Sequence, residues 1–125
     1  MFSGQFILCG QKQLVPMLGT CYSLAMRVIA KNTLVAFYTA HPKTRASIER
    51  WHALVKAADW SSPAEVQAAF SGAVVLNAER VRFEIAGGSN RLIASFDFRR
   101  KIAFVKFIGT HAEYDRIDAL TVSQF

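Results

Sequence analysis

Thr110-His111-Ala112-Glu113-Tyr114-Asp115 gathers a hydroxyl, an imidazole, two carboxylates and a phenol directly after an apolar run that stops at Gly109. An imidazole with its ordinary pKa of about 6.5 can give or take a proton near neutral pH, so His111 is the natural acid or base of the group. The preceding run, Ile102 to Ile108, has strand spacing. It predicts Ile102, Phe104, Lys106 and Ile108 on one face and Ala103, Val105 and Phe107 on the other. Lys106 then interrupts an apolar side, and a cation in that position needs a chemical reason.

The basic residues that could share this surface are Arg82, Arg91 and Lys106 on strands and Arg99, Arg100 and Lys101 in a turn. Such a surface suits a phosphodiester, because Arg and Lys neutralise phosphate oxygens and an aromatic ring stacks on an unstacked base. In RNA the 2′-hydroxyl is a built-in nucleophile. Cleavage then requires a base for its proton, an acid for the leaving 5′-oxygen and cations for the crowded phosphorane, with no metal and no small-molecule cofactor. On this reading Arg91 and Lys106 hold the scissile phosphate, His111 moves a proton, and Tyr114 stacks or assists. Arg82, Arg99, Arg100 and Lys101 give less specific contacts to RNA.

Each residue also has a plainer role. His111 could be a surface residue beside a C-terminal helix, Tyr114 a packed ring with a bonded hydroxyl, and Asp115 a helix-start anion or the partner of an arginine. Arg91 and Lys106 could be solvated, or paired with Glu84 and Asp97. His41 and His52 read as structural. Gly87-Gly88-Ser89-Asn90 lacks the lysine of a phosphate loop and sits between strands, and no G-x-S-x-G elbow occurs.

With 125 residues the chain suits one core. Fifteen Lys and Arg against nine Asp and Glu give a net charge of +6, which favours anionic partners such as RNA, an acidic protein or a membrane surface. Both cysteines, Cys9 and Cys21, lie near the start, so neither a disulfide framework nor a Cys-type zinc site is expected, and a reducing cytoplasm fits. No stretch reaches the roughly 18 apolar residues of a membrane span. Residues 1–25 carry only Lys12 as a basic residue, which argues against a signal peptide. Coherent patterning starts at Arg27, so residues 1–25 read as a non-native or poorly ordered extension, Met26 as the natural start and 26–125 as the domain.

The positioning elements follow from periodicity. Arg27 to Ala30 is a short strand, Asn32 or Thr33 caps a helix through Leu34, Phe37 and Tyr38, and His41-Pro42 ends it. Residues 43–58 have the best helical pattern, with Ile48, Trp51, Leu54 and Val55 recurring on one side, and the two helices should form a hairpin. Ser62, Pro63 and Glu65 start a third helix. Beyond Gly72, four β-rich runs separated by turns predict an antiparallel meander, with Val81, Phe83, Ile85, Leu92, Ala94 and Phe96 on an apolar face. The fold class is α+β: an N-terminal helical hairpin on one face of a curved, mainly antiparallel sheet, with a short C-terminal helix.

Several segments also carry a family likeness. Met26-Arg27-Val28-Ile29-Ala30-Lys31, Trp51 with Val55-Lys56-Ala57-Ala58-Asp59-Trp60, Pro63-Ala64-Glu65, Gly87-Gly88-Ser89-Asn90-Arg91-Leu92-Ile93 and Phe107 to Asp115 together resemble the HigB family of type II toxins over residues 26–120. The resemblance implies a RelE-like fold, an mRNA endoribonuclease acting on ribosome-bound message without a metal, and a HigA-type helix-turn-helix antitoxin as partner. It places functional polar residues at Arg91, Lys106, His111 and Tyr114, with Lys106 where arginine is common, a change that keeps charge and loses the bidentate fork. Two other classes compete: a basic RNA-binding or translation-associated module that never cuts, and a protein whose basic face exists for an acidic partner segment.

Overall fold

The computed structural model describes residues 26–125, so the readings of residues 1–25, Cys9 and Cys21 included, lie outside the described residues. Five strands form one sheet: β1 (Arg27–Ile29), β2 (Val74–Val75), β3 (Arg80–Ile85), β4 (Asn90–Asp97) and β5 (Ile102–Thr110). Their spatial order is β1-β5-β4-β3-β2. The last four strands make the expected antiparallel meander, while β1 pairs in parallel with the start of β5, Arg27 opposite Ile102. A parallel partner so far away in sequence needs a long crossover. The crossover contains α1 (Lys31–Ala40), α2 (Arg45–Ala57) and α3 (Pro63–Ala69).

These helices cover one face of the sheet. Leu34 from α1, Ile48, Trp51 and Val55 from α2 and Val66 from α3 pack on Val81, Phe83, Ile85, Leu92, Ala94 and Phe96. Phe83 is the hub of the aromatic contacts, with Trp51 at 5.4 Å and Phe70 at 4.9 Å in edge-to-face arrangements that suit the quadrupoles of the rings. The start of α3 is as expected: the Ser62 hydroxyl accepts from Glu65 N at 3.4 Å and Pro63 occupies the first turn. The start of α1 is not. Its first residue is Lys31, and neither Asn32 nor Thr33 caps it; the Thr33 hydroxyl sits inside the first turn and donates to the Ala30 carbonyl at 2.6 Å.

The largest departure from strict alternation is in β5. Ile93 pairs with Phe107 and Ala94 with Val105, which leaves Lys106 unmatched in a β-bulge. The extra residue shifts the phase of everything after it. Ala103, Val105 and Ile108 therefore face the helices, while Ile102, Phe104, Phe107 and Gly109 share the opposite face with Arg91, Ile93 and Ser95. Ile108 does not share a face with Lys106, contrary to the simple alternation.

That opposite face is partly roofed by the chain's own C-terminus, which follows α4 (His111–Tyr114). Arg80 on β3 donates through Nη1 to the carbonyls of Ala119 at 3.1 Å and Val122 at 2.7 Å. Gln124 fastens the far end to β5, its amide donating to the Lys106 carbonyl at 2.8 Å and its side-chain oxygen accepting from Ile108 N at 3.0 Å. The tail thus spans the sheet from β3 to β5 across β4. Ile93 and Phe107 are buried on this face without belonging to the helix-side core.

Replacing Arg80 with alanine removes the charged donor that holds two tail carbonyls. Hydrogen exchange of the amides of residues 119–124 should accelerate on the order of tenfold or more, with β4 unchanged. Unaltered tail exchange would show that Arg80 does not fasten it. On the helix side, desolvation, helped by the charges of Lys31 and Lys56, lowers the pKa of His52. The unfolded chain therefore binds this proton first, and stability falls as pH drops through the ordinary histidine value near 6.5. The melting temperature should decline between about pH 7.5 and pH 5.5, with a shallower decline in His52→Gln. An identical pH profile for both proteins would refute that role.

Candidate functional site

Arg91 is the second residue of the central strand β4 and is only 9% exposed. Its Nη1 donates to the Gly88 carbonyl and its Nε is buried without a partner. Glu84 stands opposite it across the strands, yet the ion pair of Glu84 is with Arg82 Nη2 at 3.6 Å, and Asp97 pairs with Arg100 at 2.7 Å. Arg91 is thus neither a solvated sheet residue nor held by Glu84 through an ion pair. The Arg82 Nε is likewise buried and unpartnered.

Both guanidinium groups meet the ring of Tyr114. The Arg82 Cζ lies 5.8 Å and the Arg91 Cζ 6.0 Å from its centroid, within reach of cation–π attraction. Phe107 supports the ring at 6.3 Å. Tyr114 gets there because α4 turns back over the end of β5. The Thr110 hydroxyl accepts from Glu113 N at 3.2 Å while the Glu113 carboxylate accepts from Thr110 N at 2.8 Å, a reciprocal capping box. Gly109 permits this turn. A Cβ there would come within 2.7 Å of the Glu113 carboxylate and 2.8 Å of the Phe107 ring.

His111 joins the same end of the sheet through its amide, which donates to the Ser89 carbonyl at 3.0 Å, two residues before Arg91. Its Nδ1 lies 3.1 Å from Asp115 Oδ2. A carboxylate can only accept, so Nδ1 carries a hydrogen, and in the neutral ring the lone pair is on Nε2. The side chain is 54% exposed, leaving Nε2 accessible to a ligand. Asp115 is therefore the partner of His111 at the end of α4, where the sequence suggested a helix-start anion or the partner of an arginine.

The remaining candidates do not converge on this end of the sheet. The Lys106 ammonium lies 5.5 Å from the centroid of the Phe104 ring and lines a cleft of about 630 Å³ with Arg80, Arg99, Arg100, Glu79 and Ser95. From Arg91 to Ser95 along β4 is roughly 13 Å. The expected convergence of all the positives beside His111 is thus replaced by two cationic areas, Arg82 and Arg91 beside Tyr114 and a second around Arg99 and Arg100, with Lys106 at the mid-strand bulge lining the second. Lys101 belongs to neither: its ammonium binds Asp59 at 2.8 Å and the Trp60 carbonyl at 2.9 Å, holding the loop between α2 and α3. Arg100 is fixed to Asp97, whose pKa it lowers, first through its backbone N–H and then through its side chain.

Two contributors escaped sequence reasoning. Arg80 was visible only as one of the polar positions alternating with Val81, Phe83 and Ile85, and Phe107 reaches Tyr114 only because the bulge reverses its face. Among the described residues no group of three or more His, Cys, Asp and Glu side chains could hold a metal ion, and no helix is long and apolar enough to cross a membrane.

The family of RelE-like HigB toxins, the toxic component of a toxin-antitoxin system, matches residues 44–117, a span from the start of α2 through α4. A curated protein, the mRNA interferase HigB of Escherichia coli O6:H1, is similar to this chain at 27% identity over 99 residues, covering 74% of this chain and 91% of that relative. The matched span contains Arg82, Arg91, Lys106, His111 and Tyr114, and the sheet that carries them is the mainly antiparallel, helix-backed sheet expected of a RelE-like fold. The chain belongs to the HigB toxin family, the RelE-like toxic component of a toxin-antitoxin system.

Proposed function

We propose that this toxin is an endoribonuclease that cleaves messenger RNA by attack of the 2′-hydroxyl. The observation that carries the reading is the placement of Arg82 and Arg91 at 5.8 and 6.0 Å from the Tyr114 ring, beside the helix that begins with His111. His111 Nε2 takes the 2′-hydroxyl proton, Asp115 holding the ring and offsetting the imidazolium charge that results. The 2′-oxygen bonds to phosphorus, the bond to the 5′-oxygen breaks, and the Tyr114 hydroxyl supplies the proton that the leaving oxygen needs. Arg91 and Arg82 face the charge that accumulates on the phosphorane. The products are a 2′,3′-cyclic phosphate and a free 5′-hydroxyl. All these groups belong to the chain itself, so the steps call for neither a metal nor an organic cofactor.

Lys106 keeps its positive charge but lies toward the other cleft, so its part is to bind the RNA backbone beyond the scissile linkage, with Arg99 and Arg100. Message on the ribosome in the cytoplasm is the substrate the family likeness supports, and a HigA-type helix-turn-helix protein is the neutralising partner. The net charge of +6 suits both an RNA substrate and an acidic antitoxin segment.

His111→Ala should lower cleavage about 100-fold or more with unchanged circular dichroism, measured by mapping new 5′ ends on ribosome-bound message. Tyr114→Phe should also slow cleavage. Growth arrest by His111→Ala equal to that of the parent would overturn the assignment, and binding of RNA with no new 5′ ends in the parent protein would leave the non-cutting module.

A further inference from the structure

The cleft between the start of β3, the end of β4 and the bulge of β5 contains a carboxylate that its surroundings do not explain. Glu79 lies among Arg80, Arg99, Arg100 and Lys106, yet among the described residues it forms no ion pair. The neighbouring cations are engaged elsewhere: Arg80 with the carbonyls of Ala119 and Val122, Arg100 with Asp97, and Lys106 over the Phe104 ring. Arg99 has no ion-pair partner among the described residues.

The backbone that carries this exposed carboxylate is held in place, and one hydroxyl meets the carboxylate itself. The Asn77 side-chain oxygen accepts from Glu79 N at 2.9 Å and Arg80 N at 2.7 Å, and Phe96 N donates to the Glu79 carbonyl at 2.7 Å. The Ser95 hydroxyl donates to Oε1 at 3.2 Å. An acceptor-only group oriented by the Ser95 hydroxyl, with an aromatic wall at Phe104 and a basic rim, has the parts of a nucleobase site: acceptors for a base edge, a ring to stack on, and cations for the phosphates on either side.

We propose that this cleft is a base-reading subsite for an RNA nucleotide flanking the scissile one, and that Glu79 selects guanine there. The inference rests on the RNA-cleaving function proposed above. Among the common bases, guanine presents two adjacent donors, N1–H and the N2 amino group, to the two oxygens of one carboxylate, whereas uracil offers a lone N3–H between two carbonyl oxygens that a carboxylate repels. Adenine and cytosine place an acceptor beside their amino group. The base stacks on Phe104 as the Lys106 ammonium moves from the ring to a phosphate, and Arg99 contacts the backbone. The roughly 13 Å between Arg91 and Ser95 along β4 separates this base from the cleaved linkage, with the tail lying between the two areas.

The test is binding of the purified chain to short fluorescent RNAs with 2′-fluoro groups throughout, which cannot be cleaved. Affinity is read by anisotropy for oligomers carrying a single guanine, inosine or adenine. Inosine lacks only the N2 amino group. Guanine should bind about tenfold more tightly than inosine, as expected for one arm of a bidentate base contact. In Glu79→Gln the difference should fall to within about twofold, because the amide offers only one acceptor, and Ser95→Ala should reduce it in part. Phe104→Ala should weaken all oligomers together. Equal affinity for guanine and inosine in the parent, or a guanine preference that survives both Glu79→Gln and Ser95→Ala, would overturn the subsite. Cleavage of message by a protein without guanine preference removes the subsite and leaves the nuclease. A guanine preference without cleavage does the reverse.

Discussion

A cation on the central strand of the sheet has to be accommodated, and much of the site is the accommodation of Arg91. It lies on β4, whose residues from Asn90 to Phe96 are all buried, and a charge in that position is tolerated only where other groups replace its water. Two groups do so, the Gly88 carbonyl and the face of the Tyr114 ring. The first requires the β3–β4 connection to fold back on the strand, where the Ser47 hydroxyl on α2 accepts from Ala86 N at 3.1 Å and ties the connection to the helical layer. The second requires α4 to turn over β5, and hence the capping box and Gly109. Groups far apart in sequence are thereby brought to one place.

Compensation is incomplete at Nε of both Arg82 and Arg91. An incompletely paired buried guanidinium costs stability, and such costs concentrate where a ligand supplies the missing contacts. An incoming phosphate would do so electrostatically. The Tyr114 ring, about 6 Å from both cations and packed on Phe107, forms the wall that a substrate phosphate at these arginines would meet.

How far the sequence revealed this arrangement depends on the range of each signal. Local signals were clear: the periodicity of Ile48, Trp51 and Val55, the Ser62 cap, the turns and the alternation of β3 all have their cause within a few residues. The family likeness was legible from a handful of short motifs, and it anticipated a sheet backed by helices. The partners of charges were not legible, because a strand pattern says which face a side chain takes and not which neighbour it meets. Asp59 lies 42 positions before Lys101, and nothing in Arg99-Arg100-Lys101 says that the last of the three turns toward the helices while the second pairs with Asp97. The bulge was hidden for a related reason. Ile102 to Ile108 reads as unbroken alternation, and only the pairing with β4 shows that one residue is in excess.

That excess residue decides how the face is divided. Without it Phe107 would point toward the helices, where Val105 and Ile108 already pack, and Tyr114 would lose its support. With it, Phe107 and Lys106 are both available to the opposite face, one beneath Tyr114 and the other beside Phe104. The bulge also interrupts the regular backbone of β5 beyond the short reach of β1, and Gln124 binds there, to the Lys106 carbonyl and the Ile108 amide. The irregularity that turns Phe107 toward Tyr114 therefore also supplies the anchor for the tail, and with Arg80 it fixes the line along which the tail separates the arginine–tyrosine cluster from the carboxylate cleft.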